Sequence, residues 1–432
     1  MDNHCHRSNI FSLCSQRIHQ PTKSYRLVYS FCYILAIINL VLVFYKPSFA
    51  SDTKTELYQG LHSGLHIYRY DWIDEKCVLY IAEVDRKGSN LDFEVGVAND
   101  QILGKESVRL LTEKRNQRGD RRALVAVNGG FGVLGDMRGY GGVLENLHIQ
   151  NYELITQPTD STSCFGVTTT GVFLIDDVKM KAQTKLGDQI LSVGAINQRR
   201  EDGHQLILFT PRMGYATHTN HRGFEIVLSN LKLPVTSNYQ SNFMIQQFGE
   251  KGNNPIPING GVLSFRSRKN RHLFSQLTQG QIGEIRISLD PPKWKNVKYA
   301  IGGRLRLIKN GQIHPKIVQL HNAEKIHIPG KRSPSLVLSY EPRTALGFNK
   351  EKLILIVADG RQPNYSTGLS LYRLAEILLK LGVKEAINLD GGSSSTFIVD
   401  GQLANRPSGH KERNVLNAVF ITMDIKDDQK SD

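Results

Sequence analysis

The pattern of apolar and polar positions is most regular between residues 353 and 406. Residues 353–358, LILIVA, form an unbroken apolar run, the signature of a strand covered on both faces, and it stops at Asp359-Gly360. After a polar loop, Leu371, Leu374, Ala375, Leu378 and Leu381 recur at helical spacing, and Gly382 stands where a helix C-terminus favours glycine. A second apolar strand over residues 386–389 closes on Asp390-Gly391-Gly392. Strand, crossover helix and strand predict a parallel β-α-β unit whose strands end on one sheet edge, so Asp359 and Asp390 are expected to share that edge. As neighbours the two strands would lie about 5 Å apart. Crevices at the carboxyl ends of parallel strands commonly hold ligands. Just upstream, residues 343–348 (RTALGF) predict an antiparallel partner for the first strand, turning at residues 349–352. That pairing places Arg343 near Asp359, where its planar fork suits a carboxylate or a phosphate.

The preceding chain is β-rich. Residues 77–84 and 91–97 predict paired strands around an Arg-Lys-Gly-Ser-Asn turn, and residues 107–118 a helix. A short buried strand over residues 123–127 leads into Asn128-Gly129-Gly130-Phe131-Gly132. Gly130, Gly132 and Gly135 have the spacing of a dinucleotide-binding loop, but that fingerprint needs a helix opening on the third glycine, and the glycines at 139, 141 and 142 preclude one. The loop is read instead as one whose glycines permit close backbone approach. A hairpin pattern follows over residues 162–180, strands over 206–210 and 224–228, long loops over 232–261, and a further hairpin around Asn310-Gly311, preceded by Gly302-Gly303-Arg304. His218 and His221 lack a third ligand at useful spacing and are read as a polar loop. No internal repeat or low-complexity run is present.

Composition adds location and partner chemistry. With 432 residues, 40% hydrophobic and 22% charged, the chain has ordinary globular composition. Residues 27–45 form an apolar run broken by Ser30 and Asn39 and preceded by Arg7, Arg17, Lys23 and Arg26; Ser48-Phe49-Ala50 offers small residues for a signal peptidase. The segment is an export signal or a single membrane anchor, and either places the rest outside the cytosol. The expected organisation is a basic tail (1–26), the signal or anchor (27–50), a linker (51–60), one domain (61–423) and a charged tail (424–432). The formal charge of +14 favours anionic partners. Its cations are scattered, with no basic helix or aromatic-interleaved stripe, which argues against nucleic acid. Cys77 and Cys164 are the cysteines beyond residue 50, either a disulfide or two buried thiols.

The order of AVNGGF, a GGR strand, an SPS segment, RTALGF, LIVADGRQ, a helix, NLDGGSSSTF and NRPS resembles the phosphodiester glycosidase family and its exopolysaccharide-associated bacterial relatives. The match is strongest over residues 343–407, good at 126–131 and 302–304, and weak over 181–298. Relatives more often carry a third glycine where this chain has Ser393 and an aromatic where it has Gly132, which puts fine substrate specificity in question. The resemblance implies hydrolysis of an α-linked sugar-1-phosphodiester at the sugar carbon, with no cofactor; a divalent cation stays open.

Such a reaction passes through an oxocarbenium-like state, so it needs carboxylates for the sugar or water and cationic donors for the phosphate. Asp359, Asp390 and Arg343 are the candidate catalytic residues. Asn128, Gly129, Gly303, Arg361, Gly391, Gly392, Ser393, Ser394 and Arg406 are the candidate substrate-binding residues, the glycine-serine loop through its N–H and hydroxyl donors. A serine nucleophile is disfavoured, because Thr396 stands where a nucleophile elbow needs glycine. Two alternatives remain: a non-catalytic glycan-binding protein, and a metal-dependent phosphodiesterase built on Asp136, Asp359 and Asp390. The expected fold class is α+β, with mixed β-sheets, flanking helices and the C-terminal parallel β-α-β unit.

Overall fold

The computed structural model describes residues 52–73, 75–133, 135, 140–200, 206–266, 275–325 and 337–425. The basic tail, the export or anchor segment, Asp136 and the end of the charged tail lie outside the described residues. Among the described residues no helix is long and apolar enough to cross a membrane.

Strands β1 (Thr53–Leu57), β2 (Leu65–Trp72), β3 (Cys77–Asp85) and β4 (Leu91–Val97) come first, then helix α1 (Val108–Asn116) and β5 (Arg121–Asn128). β1 lies in the stretch read as a linker and pairs antiparallel with β2. Two short hairpins follow, β6 (His148–Gln150) with β7 (Glu153–Thr156) and β8 (Cys164–Thr168) with β9 (Phe173–Asp176). The middle of the chain forms β10 (Lys179–Leu186), β11 (Gln189–Ile196), β12 (Leu206–Phe209), β13 (Phe224–Ser229), β14 (Asn238–Gly249), β15 (Gly260–Phe265) and β16 (Ile282–Asp290). These seven close into a barrel in the order β10-β11-β12-β15-β13-β14-β16. Strands β17 (Val297–Gly302), β18 (Arg306–Lys309) and β19 (Gln312–Ile313), helix α2 (Pro315–Lys325), β20 (Arg343–Phe348), β21 (Lys352–Ala358), helix α3 (Leu371–Lys380), β22 (Glu385–Asn388), β23 (Phe397–Val399), β24 (Gln402–Leu403) and β25 (Asn417–Asp424) complete it.

The α+β expectation is therefore corrected: the protein is mostly β, with a closed barrel and three α-helices among the described residues. The barrel went unread because residues 232–261 have loop-like composition. In β14 the buried Tyr239, Ser241, Phe243 and Ile245 alternate with the exposed Gln240, Asn242 and Gln246, so the amides are the solvent half of a period-two strand.

The parallel β-α-β unit is corrected as well. The eight-stranded sheet runs β1-β2-β3-β21-β20-β22-β18-β19, and β21 is antiparallel to both of its neighbours, β3 and β20. β20 lies between β21 and β22, which puts those two backbones about 10 Å apart at two strand spacings. The apolar run of β21 arises from two-sided burial, which does not depend on strand direction. Leu353, Leu355 and Val357 join the core between the sheets, while Ile354, Ile356 and Ala358 join the core beneath α3. Helix α3 starts where the Ser370 hydroxyl accepts from Arg373 N and contributes Leu371, Leu374, Ala375, Ile377 and Leu378 to that core; Gly382 follows with φ +77°. A second sheet, β24-β23-β5-β25-β4, faces the first across the inter-sheet core and carries α1 on its other side. The third sheet, β7-β6-β17-β8-β9, contributes to both this core and the barrel's. Cys77 and Cys164 are buried free thiols and form no disulfide with each other.

Candidate functional site

Period-two alternation decides which side chains meet at the edge where β21 and β22 end. Arg343 pairs with Ala358 across β20 and β21, so the two share a face, and Ala358 faces α3. Asp359, one residue on, turns to the opposite face. The expected approach of Arg343 to Asp359 is not made. Arg343 is 3% exposed and donates from Nε to the Leu369 carbonyl (2.9 Å) and from Nη2 to that of Ser339 (2.7 Å). Burial lowers its guanidinium pKa to about 10, the Glu341 carboxylate working in the other direction.

Asp359 is 1% exposed, and both of its oxygens are occupied. Oδ1 accepts from Asn405 Nδ2 (2.7 Å); Oδ2 accepts from Arg406 N (2.9 Å) and the Tyr365 hydroxyl (3.1 Å). Tyr365 also shares a hydroxyl contact of 3.3 Å with Tyr80, from β3. Burial raises the Asp359 pKa to about 6, outweighing the donors from Asn405, Arg406 and Tyr365 that favour the carboxylate.

Asp390 is only partly buried. Its Oδ1 accepts from Gly391 N at 2.9 Å, and Ser394 bonds its side chain. Burial raises its pKa, while the Ser394 and Gly391 bonds and then the Arg413 and Arg304 charges pull it back. Its backbone is fixed from the facing sheet: Asp390 N donates to Gly129 O (3.0 Å) and Asn128 Nδ2 donates to Asp390 O (2.7 Å).

Asn128, expected to bind substrate, is fully committed inside the protein. Its Oδ1 accepts from the Thr344 hydroxyl (2.7 Å) and Thr396 N (3.1 Å), so one amide ties β5, β20 and the loops flanking Asp390 together. Gly129 and Gly303 serve close approach, as an added Cβ would stand 2.3 Å from Asn417 Oδ1 and 2.6 Å from Asn388 O respectively. The Gly391 and Gly392 amides are already taken, by the Asp390 carboxylate and by Pro342 O at 2.8 Å. Ser394 is buried; Ser393 accepts from Arg413 Nη1 at 2.7 Å.

Cations rim the two aspartates. Exposed Arg361 holds φ +60°, pairs with Glu341 at 2.5 Å and lies against Gly392, whose added Cβ would come 3.1 Å from its Nη2. Arg406 is exposed, with its guanidinium carbon 5.1 Å from the Tyr365 ring centre. Arg304 stacks on Phe131 at 4.9 Å. Sequence reasoning assigned no role to Tyr80, Tyr365, Asn405, Arg304 or Arg413. Arg304 and Asn405 lie inside the GGR and NRPS motifs and Tyr365 in the polar loop after LIVADGRQ; nothing local marks Tyr80 or Arg413, which tertiary structure brings in. Among the described residues no three His, Cys, Asp or Glu side chains gather as a metal-ligating group. His218 and His221 are exposed loop residues.

Residues 235–422 match a family model described as phosphodiester glycosidase, which bears out the resemblance read from the motifs. Arg343, Asp359, Asp390 and Arg406 fall within that segment; Asn128 and Gly129 do not. The human N-acetylglucosamine-1-phosphodiester alpha-N-acetylglucosaminidase is 38% identical over 116 residues, 27% of this chain and 22% of that protein. The mouse protein of the same name is 39% identical over 116 residues, again 27% and 22%. The chain thus spans about a fifth of the length of the curated relatives it matches. A crystal structure of a hypothetical protein from Synechocystis superposes with a TM-score of 0.69 at 17% identity, covering 87% of this chain and 64% of that one. One from Burkholderia pseudomallei gives 0.62 at 18%, covering 80% and 74%. At these identities the two share the fold.

Proposed function

We propose that this chain, whose residues 235–422 match the phosphodiester glycosidase family, hydrolyses α-linked sugar-1-phosphodiesters of a glycan, cell-wall polymer or exopolysaccharide outside the cytosol. The observation that carries the reading is the partly exposed Asp390 carboxylate, held by Gly391 N and Ser394, under the charges of Arg413 and Arg304. A carboxylate beside cations suits a substrate that joins a sugar to an anion. Asp390 takes the proton of a water whose oxygen attacks the anomeric carbon. The bond from that carbon to the phosphate oxygen breaks, and the electron pair leaves with the phosphomonoester. Arg304, Arg361 and Arg413 neutralise the leaving charge, so no strong general acid is needed. The basic-then-apolar segment ahead of residue 51 supports export.

The full chain should release free sugar and a phosphomonoester from an α-N-acetylglucosamine-1-phosphodiester. In oxygen-18 water the label should enter the sugar; label in the phosphate would instead indicate a phosphodiesterase attacking phosphorus. Asp390→Asn should lose at least about 100-fold in rate, the scale of a group that moves a proton in the transition state. Wild-type turnover in that variant would remove Asp390 from the chemistry. A protein that binds the diester, turns over none of it and keeps its affinity in Asp390→Asn would be a glycan-binding module.

A further inference from the structure

Asp359 has the composition of a reacting group and the surroundings of a structural one. It is 1% exposed, its two oxygens accept three donors, and Arg343 faces the other side of the sheet. What those donors share is the loop that carries Arg406. Asn405 Nδ2 and Arg406 N both donate to Asp359, Gln362 Nε2 donates to Arg406 O at 2.9 Å, and the Tyr365 ring lies beneath the Arg406 guanidinium. Tyr365 is itself fixed by its hydroxyl, on Asp359 at 3.1 Å and against Tyr80 at 3.3 Å. Ser366 donates its hydroxyl to Asp359 O at 2.7 Å and so pins the loop that carries Gln362 and Tyr365. Arg406 is the one exposed charge in this assembly: backbone anchored on both sides, side chain on an aromatic platform, and no acidic partner among the described residues. An arginine so restrained loses little freedom when an anion arrives.

We propose that Asp359, Tyr365 and Gln362 form a cradle that aims Arg406 at the anionic part of the substrate, making Asp359 a positioning residue and Arg406 a specificity-determining one. The identity of that anion as a sugar phosphate rests on the glycosidase reading; the cradle itself does not.

The test uses the full chain with two readouts. Calorimetric titration with α-N-acetylglucosamine 1-phosphate reads binding without turnover, and steady-state kinetics on a methyl phosphodiester of the same sugar separates KM from kcat. Arg406→Ala, Asp359→Asn and Tyr365→Leu should each weaken binding and raise KM by about 10-fold or more while kcat stays within about 3-fold, the pattern of lost uniform binding. The double variant Asp359→Asn/Arg406→Ala should be no worse than Arg406→Ala, because Asp359 acts through that arginine. Should Asp359→Asn fail to fold by circular dichroism, Tyr365→Phe and Tyr365→Leu decide: removing the hydroxyl should cost less affinity than removing the ring. The proposal is overturned if Asp359→Asn lowers kcat by about 100-fold at unchanged KM, if the effects of the double variant multiply, or if Arg406→Ala and Tyr365→Leu bind as tightly as wild type. Absent turnover with these binding losses intact would sink the glycosidase reading and leave the cradle standing.

Discussion

At Asp359, burial and hydrogen bonding act in opposite directions, and burial wins: the pKa rises from 3.8 to about 6. The folded state therefore binds a proton more tightly than the unfolded chain between those values. Stability is greatest below the unfolded pKa and falls as pH rises through 6. At about 1.36 kcal/mol per tenfold change in proton affinity, that rise costs on the order of 3 kcal/mol at neutral pH. Asp359→Asn removes this titration. Comparing melting temperatures of variant and wild type at about pH 7 and about pH 4.5 should show the wild type gaining on the variant as the solution is acidified; parallel curves would mean that the Asp359 carboxyl titrates normally. The sequence marked Asp359 and Asp390 as equals because both are Asp-Gly at a strand end. Their difference lies in the partners: residues 365, 405 and 406 enclose one, while the other stays open toward Arg304 and Arg413.

At the scale of elements, α3 shows where periodicity is informative. Its leucines recur at helical spacing because one face packs on the site-bearing sheet, so the helix and its Gly382 terminus were legible, while the Ser370 cap emerged from the structure. Leu374 is fully buried beneath this helix beside Ile354 and Ile356. Leu374→Ala should lower stability by about 2–5 kcal/mol in denaturant titration, the range for a truncated core leucine; a loss near zero would mean that the helix is loosely docked. The antiparallel hairpin of β20 and β21 was equally legible, because RTALGF and the apolar run are joined by a short turn. Strand neighbours were not. An apolar run reports coverage on two faces and is silent on which strand lies alongside, so β20 could stand between β21 and β22 without altering the pattern.

For the whole molecule, the surplus of cations matters through where it collects. Arg304, Arg361, Arg406 and Arg413 come from four separate segments and surround one edge of one sheet. If the substrate is anionic, raising ionic strength from about 50 mM to about 500 mM should raise KM several-fold with kcat little changed, since screening shortens from over 10 Å to a few Å. A KM indifferent to salt would show that these arginines do not meet substrate charge.

Taken alone, the sequence determined the strand-end aspartates, the glycine loop at residue 129, the helix between the strands and the family resemblance, since each depends on residues close together along the chain. Tertiary structure decided the barrel, the strand order, the face to which Arg343 turns, the internal commitment of Asn128 and the enclosure of Asp359 by Tyr365 and Asn405. Those outcomes depend on pairings between distant segments, such as Asn128 with Asp390 and Tyr80 with Tyr365. Local pattern reports which face of an element is covered, and packing alone determines what covers it.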